Sequence, residues 1–347
     1  ASYALEVRTS CSRVFMLQIL AAILGLSLLV ILHEAGHYFA ARYFGIRVLR
    51  FSIGFGPTLV KYQPKGSPTV FQVCLIPFLA YVMIAGINPE EEDPNDPELY
   101  SNKGLWARIL VNLGGPLANY ITASIIVFFL AVSGWRTEQP ATTMVIGAVE
   151  PSSAAANAGL KVGDTIVEGN GRAVRNITDL IEVTNTRAGQ PTSYVIERDG
   201  QRLPPLQITP QQRGTRGVLG VSPRFEVKYE SKSVFEATKL ALTVPGALTA
   251  ANLMGMVELI QHRTTQGVMG PVGMAKLVVQ QADQGVYAYV WILVLISVAL
   301  GYFNLLPLPG LDGGKLVFLA YELVTRRRAN ERVEAVVHNV GLLVLVG

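Results

Sequence analysis

His33-Glu34-Ala35-Gly36-His37 closes an apolar run that starts at Met16 and carries no charge before the first histidine. Residues four apart share a face of an α-helix, so this turn presents both imidazoles to one point, as a zinc-binding pair does. Glu34 then sits beside the metal, where it can take a proton from water as a general base. Three ionisable side chains at the end of a long apolar helix each cost a few kcal/mol in lipid, which is tolerated where they have a function. The plainer reading of the same residues is a histidine pair reaching for the membrane surface.

The run that carries the motif also decides the fold class. About 20 apolar residues cross a bilayer core as helix. Residues 16–41 and 106–134 meet that length, as does the apolar part of residues 286–325 ahead of its break at Pro307-Leu308-Pro309. A further apolar stretch, 335–347, is too short to span and reads as the start of a last helix truncated by the end of the chain. Residues 1–15 are polar and read as a tail. Arg8 and Arg13 ahead of an apolar run also suit a signal peptide, but the run holds no small-residue cleavage site. Half of the 347 residues are hydrophobic and only 16% are charged, as in a chain that lives largely in lipid. The expectation is a polytopic α-helical membrane protein with about four transmembrane helices. The net charge of +4 is dispersed and forms no basic and aromatic face, which excludes nucleic acid as a partner. Cys11 and Cys74 lie in dissimilar segments and predict neither a disulfide nor a cysteine metal site.

Residues 42–105 form a loop after the first helix. Between 51 and 83, Gly54-Phe55-Gly56-Pro57 and Lys65-Gly66-Ser67-Pro68 flank short β-branched and aromatic runs, a hairpin signature. Residues 74–85 are almost wholly apolar, so this β-hairpin region is expected to be membrane-inserted, where open backbone survives only against protein or a watery cavity. The acidic run 89–98 reads as a solvated loop. Residues 142–226 differ in kind, with frequent charges and short apolar runs. A strand at 144–149, a helix at 179–186 capped by Thr178, and a hairpin turning at Asp199-Gly200 predict an inserted α/β domain. Residues 227–285 mix apolar stretches with charge and are expected to form amphipathic helices on the membrane surface. Arg42, Arg47, Arg50, Lys61 and Lys65 follow the first helix, and Arg326, Arg327 and Arg328 follow the third. The positive-inside rule puts those ends in the cytoplasm and the inserted domain outside, with Arg8 and Arg13 dissenting.

A zinc site of this kind needs a third protein ligand and a fourth position open to water. Asp312 in Leu311-Asp312-Gly313-Gly314 is the acidic residue that follows the Pro-rich break in an otherwise apolar stretch, which makes it the candidate. A capping role at the start of the next helix is the alternative, and Glu322 is the fallback ligand. Asn112 and Asn119 are seven apart on one face of the second helix, with Gly115-Pro116 between them. Helix–helix contact and a place in the active site are equal readings of that pair. Asn304, an amide near the end of the third helix, needs a partner, and a substrate carbonyl or a neighbouring helix would serve. His262 and His338 read as ordinary surface or interfacial residues.

With these residues on the page, the chain resembles the site-2 protease family of intramembrane zinc metalloproteases. Its likeness is to the bacterial branch typified by the regulator of sigma-E protease. The resemblance rests on His33-Glu34-x-x-His37 and on Asn304-Leu305-Leu306-Pro307-Leu308-Pro309-Gly310-Leu311-Asp312-Gly313-Gly314. It extends to Asn112-Leu113-Gly114-Gly115-Pro116-Leu117-Ala118-Asn119, to Met269-Gly270-Pro271-Val272-Gly273, and to a PDZ-like segment around Ala158-Gly159-Leu160-Lys161-Val162-Gly163-Asp164. The resemblance implies Zn2+ on His33, His37 and Asp312, with Glu34 as catalytic acid/base and Asn304, Asn112 and Asn119 as substrate-binding candidates. The chain departs from the best-known bacterial relative in having room for a single PDZ domain rather than two. The substrates implied are single-pass membrane proteins, such as an anti-sigma factor or a membrane-anchored regulator, cut a second time after another protease. The implied location is the bacterial inner membrane, with the PDZ domain on the periplasmic side and the active site toward the cytoplasm. Two rivals remain: a catalytically silent PDZ adaptor, which has no need of Glu34, and a metal transporter, which needs ionisable groups in several spans.

Overall fold

The structure is a computed structural model that describes residues 2–87, 95–213, 216–262, 270–330, 333–334, 336–338 and 340–341. The chain divides into two units, Ala1–Val132 with Ser233–Gly347, and Ser133–Lys232.

Helix α1 spans Ser2–Tyr43 without a break. Residues 2–15, whose polarity suggests a separate tail, are therefore helical and continuous with the apolar run. They contain neither Gly nor Pro, and a formed helix propagates into such a segment at little cost. Positions 22, 25, 29, 33, 37 and 41 are buried, and their spacing of three or four puts them on one face. Strands β1 (Val48–Tyr62) and β2 (Val70–Ile84) pair with each other twice over. Residues 50–53 lie beside Ala80–Met83 on one side, antiparallel, and beside residues 70–73 on the other, where partners rise together from Arg50↔Val70 to Ile53↔Val73. Four segments result, in the order 80–84, 48–53, 70–74 and 58–62. Gly54 and Gly56 make the fold-over, with φ of 88° and 91°. A side chain on Gly54 would also meet the Ile76 carbonyl at 2.6 Å.

Helix α2 (Leu105–Gly134) is sorted the opposite way from a water-soluble helix. Its buried face carries Gly115, Asn119, Ala123 and Ala131 among others, whereas Leu117, Ile121, Ile125 and Phe129, four apart, are exposed. Small residues inside and large apolar residues outside is the pattern of a helix packed among helices in lipid.

The second unit holds β3 (Trp135–Pro140), β4 (Ile146–Val149), α3 (Ala154–Asn157), β5 (Thr165–Gly169), β6 (Arg172–Ala173), α4 (Ile177–Asn185) and β7 (Thr192–Arg198). After these come β8 (Gln201–Arg202), β9 (Leu206–Ile208), β10 (Gln211–Arg213), β11 (Arg216–Val218), β12 (Val221–Pro223) and β13 (Phe225–Glu230). One sheet runs β6-β5-β7-β8 with β9 also on β7, while β4 pairs β12, β10 pairs β11 and β3 pairs β13. Ile146, Ile166, Tyr194 and Ile196 are fully buried in its core. Burial pushes the Tyr194 phenol up to about 12. The β7–β8 turn forms where Asp199-Gly200 predicts it, both residues taking positive φ. Helix α4 is capped by Asn176 rather than Thr178, its side chain accepting from the Asp179 N–H at 3.0 Å. Asp179 is three residues beyond Asn176, the reach of a capping oxygen. The Asp164 carboxylate is buried and held by both sides of the Arg198 guanidinium at 2.7 Å.

Back in the first unit, α5 covers Val234–His262. Whereas the sequence expectation over 227–285 is of surface-lying amphipathic helices, α5 is by itself long and apolar enough to cross a membrane. Residues 240–257 carry no charge, and Pro245 sits inside the helix. Pro within a membrane helix is tolerated because neighbouring groups satisfy the freed carbonyl. The short helix α6 (Pro271–Asp283) buries Val278 against Ala22 and Leu29 of α1 and Ile292 of the next helix. Helices α7 (Val286–Leu305) and α8 (Asp312–Thr325) are separated by the Pro-rich break. Among the described residues, Met16–Tyr43, Leu105–Gly134, Val234–Leu259 and Val286–Leu305 are long and apolar enough to cross a membrane. The protein is polytopic and helical as expected, but α5 takes a place among the four spans. The expected helix over 335–347 and the acidic run 89–98 fall largely outside the described residues, as does Met269.

Candidate metal centre

Three side chains from two distant parts of the chain converge. His33 and His37 come from the buried face of α1, and Asp312 opens α8 just past the break. The Asp312 Oδ2 lies 3.2 Å from Nε2 of His33 and 3.2 Å from Nε2 of His37. The two Nε2 atoms are 3.3 Å apart. Donors held about 2.0–2.1 Å from a tetrahedral zinc stand about 3.3 Å from one another. The triangle therefore fits a zinc ion, and two imidazoles with one carboxylate leave a fourth position free. Asp312 does not cap α8, whose start has no side-chain cap bond, and Glu322 pairs instead with Arg108 of α2.

The sequence folds this way because glycines remove obstacles around the donors. At the crossing of α1 and α2, a Cβ on Gly36 would collide with the Gly114 carbonyl, and one on Gly114 would lie 2.6 Å from the Gly36 oxygen. One residue along, a Cβ on Gly115 would strike Nε2 of His37 and come within 2.7 Å of Cε1 and Nε2 of His33. The space beside the ligand nitrogens exists only because residue 115 has no side chain. Gly313 and Gly314 do the same for Asp312, letting the first turn of α8 fold back on the Leu305–Leu308 backbone.

Outer contacts orient the rings. Nδ1 of His37 is 2.7 Å from the Val111 carbonyl oxygen. Nδ1 of His33 is 3.1 Å from the Asn119 carboxamide, while the Asn119 carbonyl accepts from Ser297 Oγ at 2.9 Å. The Glu34 carboxylate lies within electrostatic reach of His37, His33 and Asp312 and receives the main-chain N–H of Val82, on the 80–84 edge of the β1–β2 sheet.

The amides expected to meet substrate make internal hydrogen bonds in this structure. Asn119 is fully buried, and Asn112 is buried, donating to Tyr100 Oη at 2.5 Å and to the Arg108 carbonyl. Both amides have their donors on internal partners, as buried amides do. Asn304 donates to Leu300 in its own helix. Sequence reading missed His338, whose Nδ1 accepts from the Gly310 N–H and so steadies the loop that leads to Asp312. No local pattern marks that contact, since 28 residues separate the partners.

Comparison with known proteins agrees with this geometry. The profile of Peptidase family M50 matches residues 21–347. This chain belongs to peptidase family M50. It is similar to the metalloprotease MmpA of Caulobacter vibrioides, at 31% identity over 96% of this chain and 93% of that protein. A Nostoc sp. protein provisionally named a zinc metalloprotease is 31% identical over 95% of this chain and 93% of its own length. A Mesorhizobium japonicum protein with the same provisional description is 31% identical over 92% and 93%. The M50 protein described here is accordingly an integral membrane zinc metalloprotease, with His33, His37 and Asp312 arranged to hold the ion.

Proposed function

We propose that this M50 metalloprotease hydrolyses peptide bonds within or beside the transmembrane segments of single-pass membrane proteins. The supporting observation is the position of the donor triangle, built on the buried face of a candidate spanning helix beside a second one. Zinc on these donors supplies Lewis acidity toward a carbonyl and lowers the pKa of water. Glu34 takes the proton as water adds to the carbonyl carbon, and returns it to the nitrogen as the C–N bond breaks.

A helical substrate hides its peptide bonds and must unwind locally. The 80–84 edge, whose Val82 N–H already faces Glu34, favours an added substrate strand whose hydrogen bonds replace those lost. On this reading the β1–β2 sheet dips into the membrane. Residues 142–226 act as a single PDZ domain on the outer, periplasmic face of a bacterial inner membrane, filtering for substrates already shortened by another protease. The chain then makes the second cut, for example of an anti-sigma factor or a membrane-anchored regulator, and releases the cytoplasmic part.

The second reading, a silent PDZ adaptor, has no use for Glu34. The test is Glu34→Gln in the reconstituted full chain, with a single-pass protein of shortened outer domain as substrate. Cleavage should fall by about 10²–10⁴-fold with zinc retained. Wild-type protein that holds zinc, captures the substrate and never cuts it would favour the adaptor.

A further inference from the structure

We propose that Asn119 is a positioning residue that selects the metal-ready tautomer of His33, its carboxamide oxygen accepting the proton on Nδ1. The proposal rests on the zinc reading of the donor triangle. A neutral imidazole that offers Nε2 to a metal must carry its proton on Nδ1, and which nitrogen carries it is set by the partner of the other. For His37 that partner is the Val111 carbonyl at 2.7 Å, which can only accept, so Nδ1 donates and Nε2 keeps its lone pair. His33 has no carbonyl there. The atom set 3.1 Å from its Nδ1 is the Asn119 amide nitrogen, so a metal-ready His33 would face one N–H with another. At the same time Asn119 Oδ1 is buried with no partner among the described residues.

One rotation gives Oδ1 a donor and removes the N–H to N–H clash at His33, moving the amide nitrogen to the place that Oδ1 now holds. The two ends of a carboxamide are nearly equal in shape and are assigned from the hydrogen-bond network. Exchanging them brings Oδ1 to the Nδ1–H and leaves no buried oxygen orphaned on that side. Leaving a buried acceptor without a donor is destabilising. Helix–helix contact does not require this arrangement, because the Asn119 main-chain carbonyl already makes the contact to Ser297 of α7. The side chain is left for His33.

The experiment measures zinc affinity by chelator competition, and the visible spectrum of the cobalt-substituted full chain in detergent. It uses wild type, Asn119→Leu, Asn119→Asp and Asn119→Thr. Leu matches the volume and removes the acceptor; Asp and Thr keep one. Affinity should fall about 10–100-fold in Asn119→Leu, with altered cobalt bands and unchanged helical content. Asp or Thr, whichever folds, should restore both. Wild-type affinity and spectrum in Asn119→Leu would overturn the proposal, as would equal loss in all three variants. Absence of zinc affinity in wild type would instead defeat the zinc reading beneath it.

Discussion

Gly115→Ala places the smallest possible addition at the most crowded point of the centre. Its Cβ would lie 2.7 Å from both Cε1 and Nε2 of His33, and closer still to Nε2 of His37. Ordinary heavy-atom contact is about 3.5–4.0 Å, so something must move by about 0.8 Å or more. The helices cannot separate freely, because α1 and α2 touch backbone to backbone at Gly36 and Gly114. The imidazoles must yield, yet metal–ligand distances tolerate only about 0.2 Å. Overpacking of this kind costs about 1–3 kcal/mol. If the rings relieve that strain by leaving their ligand positions, the cost falls on the metal-bound state, a loss of about 5–150-fold in zinc affinity. The assay is zinc affinity by chelator competition beside helical content and proteolytic activity. Gly246→Ala and Gly255→Ala in α5 are the controls, since a Cβ at either meets nothing within 4 Å. These should leave zinc untouched and stabilise the helix by up to about 1 kcal/mol. Wild-type zinc affinity in Gly115→Ala would refute the reasoning.

Two further outcomes follow from charges outside the centre. Glu322→Leu leaves the nearly buried Arg108 guanidinium without its carboxylate and unties α8 from α2, which should destabilise the chain by about 3 kcal/mol and show as earlier thermal unfolding in detergent. Asp164→Ala removes a buried carboxylate that accepts from Arg198 and from the Lys161 N–H, destabilising its unit by about 2–3 kcal/mol. The Arg198 guanidinium holds the Asp164 carboxyl below its usual range. Its stabilisation is therefore present above the unfolded pKa of about 3.9 and lost as pH falls through the lower folded value. Hydrogen exchange in β5 and β7 should separate wild type from variant at neutral pH, with the gap beginning to narrow near pH 4 and closing as pH falls through the lower folded value; a gap that does not narrow below about pH 4 would contradict the assignment.

The centre was legible where its chemistry is local. His33 and His37 are one helical turn apart, and Asp312 stands out as an acid after a Pro-rich break, so spacing and polarity alone brought the three together. What spacing could not say is which amide does what. Asn112 and Asn119 look alike on one face of α2, but one falls beside Tyr100 and the other beside His33, a difference set by where α1 crosses. The length of α5 has a physical cause too. Pro245, Gly246 and Gly255 are breakers in water, whereas in lipid an uncharged run of 18 residues outweighs them. The fold-over of β1 and β2 was signalled only by Gly54 and Gly56, which mark a bend without saying which segments it brings side by side.

The most direct test of the account is zinc content per chain, wild type beside Asp312→Ala, after purification without chelators. About one zinc in wild type and a marked loss in the variant is the expected result, because removing Oδ2 takes away one of three donors spaced 3.2–3.3 Å apart. Wild type without zinc, or a variant that keeps it in full, would contradict the claim that His33, His37 and Asp312 form a catalytic metal site.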